Sequence, residues 1–233
     1  MTTQSLTDRT RTRLVGILFL AAIPAYGIGT ALTTSVLSAP DQLTAVAANT
    51  PQYTLGAALM LANSVIVASI GVLLFPLLKR HSLPVARIYL VGRLVEAVVL
   101  LVGIGFLFSL VALSGELAGT ADATDLATRA ASAVEANDVA YQVAMAALGF
   151  ASLFFCALLF RAQLVPRWLA LWGIVGYAVF FAGAVLELLG VEGIGLPLSI
   201  LGGLFEIAFG VWLIVRGFRS PVASVRAHST QLA

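Results

Sequence analysis

Charge is what this sequence has least of. Only 10% of its 233 residues are Asp, Glu, Lys or Arg, against about 25% in a soluble domain, so water is not the solvent for most of the chain. Histidine and cysteine are scarce too: His81 and His228 are the only histidines and Cys156 the only cysteine. Both histidines fall outside the long apolar runs, which excludes a haem or a histidine-built metal site within them. A lone cysteine excludes a disulfide framework. No glycine-rich phosphate loop, nucleophile elbow or triad signature occurs. The expectation is therefore no cofactor, no metal and no catalytic set, with a carboxylate-only intramembrane enzyme as the one catalytic alternative.

What is present is hydrocarbon. Hydrophobic residues make up 60% of the chain, and mean hydropathy is +1.02. Apolar runs at about 14–37, 55–78, 88–113, 139–160, 168–190 and 194–215 are each long enough for a helix to cross a hydrocarbon core of about 30 Å. They are continuously apolar and lack the alternation of a membrane barrel. This predicts an all-α, polytopic membrane protein: a six-transmembrane-helix bundle over residues 14–215, preceded by segment 1–13 and followed by tail 216–233. The first run has the basic front of a secretory signal. Its length, and Pro40 just behind the best cleavage site at Ala39, favour an uncleaved helix with Pro24 as a kink site.

Basic residues set the expected orientation. If the N-terminus is cytoplasmic, the inside segments hold eleven of the thirteen Lys and Arg, in clusters around Arg11, Arg80, Arg161 and Arg216, while Arg129 alone is outside. That predicts N-in and C-in, with segment 1–13 and tail 216–233 both cytoplasmic and the basic inner rim against anionic lipid rather than nucleic acid. Short connections at 79–87, 161–167 and 191–193 make the helices they join antiparallel neighbours. The acidic outer segment 114–138 reads as a solvated linker whose Ala-rich second half can form a surface helix capped near Thr124. Small residues four apart, Ala178 with Ala182 and Ser199 with Gly203, suggest close helix contacts, and Tyr53, Trp168 and Trp212 suggest interfacial anchors.

Two internal matches compete. "LLKRHSLPVARIYLVG" against "LLFRAQLVPRWLALWG" implies a parallel repeat, and "LVEAVVLLVGI" against "LFEIAFGVWLI" implies an inverted three-plus-three repeat with Glu96 opposite Glu206. The same stretches carry a family resemblance. Arg93 to Ala97 after a short basic loop, "FRAQLVPRWL" with the following "GIVGY", and "GILFLAAIPAYGIG" near the start resemble the bacterial multi-pass family called domain of unknown function 4386. That resemblance implies six spans and a bacterial plasma membrane, and no established activity.

Charge inside the runs is where function would reside. Arg93 and Glu96 stand within "YLVGRLVEAVVLLVG", about 9 and 13 Å from the inner end of their helix, and Glu206 reaches about 15 Å. Asn63 is nearer the outside, and Glu187 is close to the outer surface. An unpaired charge at such depth costs at least ~2.5 to 3.5 kcal/mol, so partners are expected. Arg93 is expected to pair with Glu96 or Glu206, the second carboxylate sharing a proton or holding a cation. Arg93, Glu96, Glu206 and Asn63 are thus candidates for a ligand or proton site in a small transport or ligand-binding bundle, whose ligand would be a small molecule or a proton. The competing reading is a regulatory or scaffold protein whose charges only lock helix packing. A cavity reaching Arg93 favours the first, and a dry packed pair favours the second.

Overall fold

The computed structural model describes residues 3–116 and 122–219. Among them are seven helices and no strand: α1 (Thr3–Leu37), α2 (Gln42–Ala48), α3 (Thr50–Leu78), α4 (Leu83–Glu116), α5 (Ala123–Arg161), α6 (Arg167–Leu188) and α7 (Gly195–Val215). All except α2 are long and apolar enough to cross a membrane. The expected six spans are therefore present in an all-helical membrane protein.

The spans form a closed ring in chain order. Each packs on its predecessor and its successor, and α1 closes the circle by packing on both α3 and α7. Short turns at 79–82, 162–166 and 189–194 enforce the antiparallel pairs. The last of these turns needs Gly190 and Gly193, whose φ values of +88° and +78° suit glycine. Because alternate helices run in opposite directions, Lys79, Arg80, Arg161, Arg167 and Arg216 gather at one end, the basic face, and Asp41, Asp122, Asp125 and Glu192 at the other, the acidic face. Outward positions carry exposed apolar side chains such as Val65, Val98, Ile200 and Val215, as a lipid-facing surface requires.

Helix ends reach past the apolar runs, because hydropathy marks the hydrocarbon crossing and not the limits of backbone hydrogen bonding. The clearest case is α5. The second half of the acidic segment is neither a linker nor a separate surface helix. It is the first four turns of a 39-residue helix, capped by the Asp122 carboxylate accepting from the Asp125 amide, not by Thr124. No Gly or Pro interrupts residues 123–140, and Leu126, Ala130 and Ala133 are buried. Helix α2 was not anticipated. It is capped by Asp41 and packs mainly on α4, with Leu43 beside Leu126 and Ala130.

Two further expectations are corrected. Ala178 and Ala182 are exposed, and Gly203 meets nothing within 4 Å, so neither pair makes a helix contact. Close approach occurs elsewhere: a Cβ on Gly16 would lie 2.6 Å from the Gly210 carbonyl, which brings α1 onto α7. Tyr53 is not an interfacial anchor. It is fully buried, and its hydroxyl donates to the Leu107 carbonyl at 3.0 Å, tying α3 to α4. Trp168 is 59% exposed at the basic end of α6, as an anchor would be. Segment 117–121 and tail 220–233, including His228, lie outside the described residues.

Candidate functional site

The charged stretch of α4 turns inward. The side chains of Arg93 and Glu96 are only 2% and 3% exposed, and Arg93 Nη1 approaches Glu96 Oε2 at 3.1 Å. The two are neighbours on one helix face, three residues apart. Their approach is close but off-axis, because neither Nη1 nor Oε2 has a hydrogen-bond partner. Arg93 reaches α3 through Nε, which donates to the Val67 carbonyl at 3.4 Å. It reaches α1 by placing its guanidinium 5.8 Å from the Phe19 ring centroid. Room for this side chain comes from Gly71 on α3, where an added Cβ would lie 2.8 Å from Arg93 Cβ.

Glu206 takes a different partner. Tyr177 of α6 donates its hydroxyl to Glu206 Oε1 at 2.7 Å, linking α6 to α7. Among the described residues, Arg93 pairs with Glu96 and makes no ion pair with Glu206 within 4.0 Å. Of the two expected pairings, the structure forms the one within α4. Around these groups pack Phe19, Phe155, Phe205 and Phe209, each in edge or stacked contact with another of the set. Tyr89 stacks on Phe155 at 4.4 Å, and its buried hydroxyl also has no hydrogen-bond partner.

Asn63 is buried on α3, four residues from Val67 and so about 6 Å further toward the acidic face. Among the described residues, no hydrogen bond joins it to Arg93, Glu96 or Glu206. Glu187 caps α7: its Oε1 accepts from the Gly195 amide at 2.7 Å, a favourable place for a carboxylate at a helix N-terminus. Cys156 is fully buried. No group of three or more His, Cys, Asp or Glu assembles as metal ligands among the described residues. Tyr177 and Tyr89 were missed as members of the centre. A depth signal existed for Tyr177, ten residues into α6 from Arg167, as Glu206 is ten residues before Arg216, which puts both about 15 Å from the basic end.

A cavity of about 550 Å³ opens on the acidic face and ends at Tyr26 and Tyr141; its walls do not include Arg93, Glu96 or Glu206. Register places its floor on the acidic side of them. Gly103 meets Ala140 and Gly92 meets Ala151 across the α4–α5 contact, so Tyr141 stands about 9 Å along the axis from Glu96.

No curated protein and no solved structure matches the chain. A family model does, over residues 14–217, a range that takes in most of α1, the other five spans whole and every member of the buried centre. The chain accordingly belongs to the family described as Domain of unknown function (DUF4386).

Proposed function

We propose that this multi-pass membrane protein is a small transport or ligand-binding bundle, not an enzyme, with Arg93, Glu96 and Glu206 as its polar centre. It sits in a bacterial plasma membrane with the basic face cytoplasmic and in contact with anionic lipid. The observation that carries this reading is the incomplete satisfaction of the centre. One guanidinium lies near two carboxylates but pairs with only one of them, off-axis at 3.1 Å, and Tyr89 Oη is buried with no hydrogen-bond partner. A device that existed only to lock helices would pair charges across helices and satisfy each polar atom. Here the ion pair lies within α4, and the cross-helix contacts of Arg93 are one long hydrogen bond and a ring face. The second carboxylate is left for a proton or a cation, as in intramembrane relays.

The scaffold reading draws support from the dry, aromatic-packed Arg93–Glu96 pair and from the cavity, whose walls stop short of Arg93, Glu96 and Glu206. Vesicles separate the two. Purified protein reconstituted around a pH-sensitive dye is expected to carry protons inward under an imposed potential, and Glu206→Gln is expected to abolish this without unfolding the protein. Proton movement no faster than in protein-free vesicles, with Arg93→Met/Glu96→Gln retaining full cellular phenotype, would establish the scaffold.

A further inference from the structure

The acidic-face cavity has a chemistry of its own. Every helix except α6 contributes to its wall, which places it on the axis of the ring. Its floor is made by Tyr26 of α1 and Tyr141 of α5, stacked at 5.4 Å with 16° between ring planes. These helices are not neighbours in the ring, so the two tyrosines bridge its interior. Above them the wall carries the hydroxyls of Thr30, Thr33, Thr34 and Ser38, with Met60 and Leu107 as apolar surface. The Thr30 hydroxyl is buried beside the Tyr26 phenol. Asp138 is the one ionisable acid or base of the wall apart from the two phenols. Beyond the floor, further toward the basic face, lie two carboxylates and one guanidinium.

We propose that this cavity is a binding site for a compact organic ammonium ion, with Asp138 as its counter-charge and the Tyr26–Tyr141 pair as the aromatic surface beneath it. The inference deepens the transport or binding reading and rests on it for passage onward to the buried centre. An anion in this cavity would meet Asp138 with no basic group to offset it. A neutral solute would gain apolar contact alone. An ammonium ion gains from the carboxylate, from the π-electron surface the stacked tyrosines leave open and from hydroxyl oxygens together. The volume of about 550 Å³ falls in the range of about 300–1,000 Å³ usual for small-molecule sites.

The test is isothermal titration calorimetry on the full-length protein in detergent, with choline as the cationic probe. Its neutral isostere 3,3-dimethylbutan-1-ol and the anion 3,3-dimethylbutyrate serve as comparisons. Choline is expected to bind saturably, with the alcohol at least about tenfold weaker and the anion not bound. Asp138→Asn is expected to weaken choline about tenfold or more while leaving the alcohol unchanged, and Asp138→Glu to recover much of the loss. Tyr141→Leu should weaken choline and Tyr141→Phe should not, because the ring face is the required feature. No saturable choline binding, equal affinity for the anion, or an unaltered affinity in Asp138→Asn would each overturn the proposal. Failure of the wider reading looks different. Asp138-dependent choline binding by a protein that moves no protons in vesicles keeps this site and removes transport. Proton movement without Asp138-dependent choline binding does the reverse.

Discussion

Arg93 is held by a carboxylate of its own helix, and this determines what its removal does. Arg93→Met leaves Glu96 buried beside the vacated place, and breaking a buried pair costs about 3–5 kcal/mol, less what the carboxylate regains by taking up a proton. Thermal unfolding of the detergent-purified protein should therefore fall markedly for Arg93→Met. It should recover in part with Glu96→Gln added, and less with Glu206→Gln added, because Tyr177 already engages Glu206. Equal rescue by both would place the guanidinium between the carboxylates and contradict the pairing described. Gly71 makes a second test at this scale. Its missing Cβ is the space beside Arg93, so Gly71→Val should cost about 1–3 kcal/mol by overpacking, whereas Gly105→Ala, which meets nothing within 4 Å, should leave the melting temperature almost unchanged. Buried charges were legible in the sequence because each stands out against a run where charge is expensive. Their partners were not legible: Glu96 and Glu206 reach similar depths, and only side-chain packing from α6 assigns Tyr177 to one of them.

Among the elements, α5 and α2 show how far apolar runs can be read. Residues 123–138 carry enough charge to look like a loop, yet the Asp122 cap, the unbroken Ala-rich sequence and burial of Leu126, Ala130 and Ala133 extend α5 to a length of about 58 Å. Hydrogen exchange in nanodiscs should show residues 126–138 protected, and full exchange of Ala130 and Ala133 amides within seconds would contradict a continuous helix. Helix α2 depends on a single cap, and that cap titrates. The Thr44 side chain, followed by its amide, hydrogen-bonds the exposed Asp41 carboxylate and holds it below its ordinary value. A carboxylate lowered in the folded state stabilises above the unfolded value and loses that contribution as pH falls through the folded one. Protection of the α2 amides relative to intrinsic exchange should therefore be constant near neutral pH and decline only below the ordinary carboxylate range, and Asp41→Asn should remove the decline. A decline centred near neutral pH would assign it to another group. The cap pattern was present in the sequence at Asp41, but a seven-residue helix has too little apolar periodicity to be recognised without the α4 surface it covers.

At the scale of the whole molecule, the ring converts a linear charge pattern into two opposed faces. Six successive spans of one chain alternate in direction, and once they close on themselves through α1 and α7 the basic turns must share one end. A ring this regular fixes relative position but has no built-in sense of inside and outside. Orientation comes from the membrane, through the preference of Lys and Arg for the cytoplasmic side. The interior is asymmetric as well: the cavity opens on the acidic face, and Asp8 pairs with Arg80 on the basic face, binding the start of α1 to the α3–α4 turn. Cysteines placed at exposed positions of the two faces, His81→Cys on the basic and Thr124→Cys on the acidic, should respond in opposite ways to a membrane-impermeant maleimide applied to intact cells, against a background kept low by the buried native Cys156. Thr124→Cys should label at once and His81→Cys only after the membrane is opened. Labelling of His81→Cys from outside would invert the molecule and put the Asp138 cavity on the cytoplasmic side. The ammonium ion it is proposed to bind would then be drawn from the cell interior, with transport running outward.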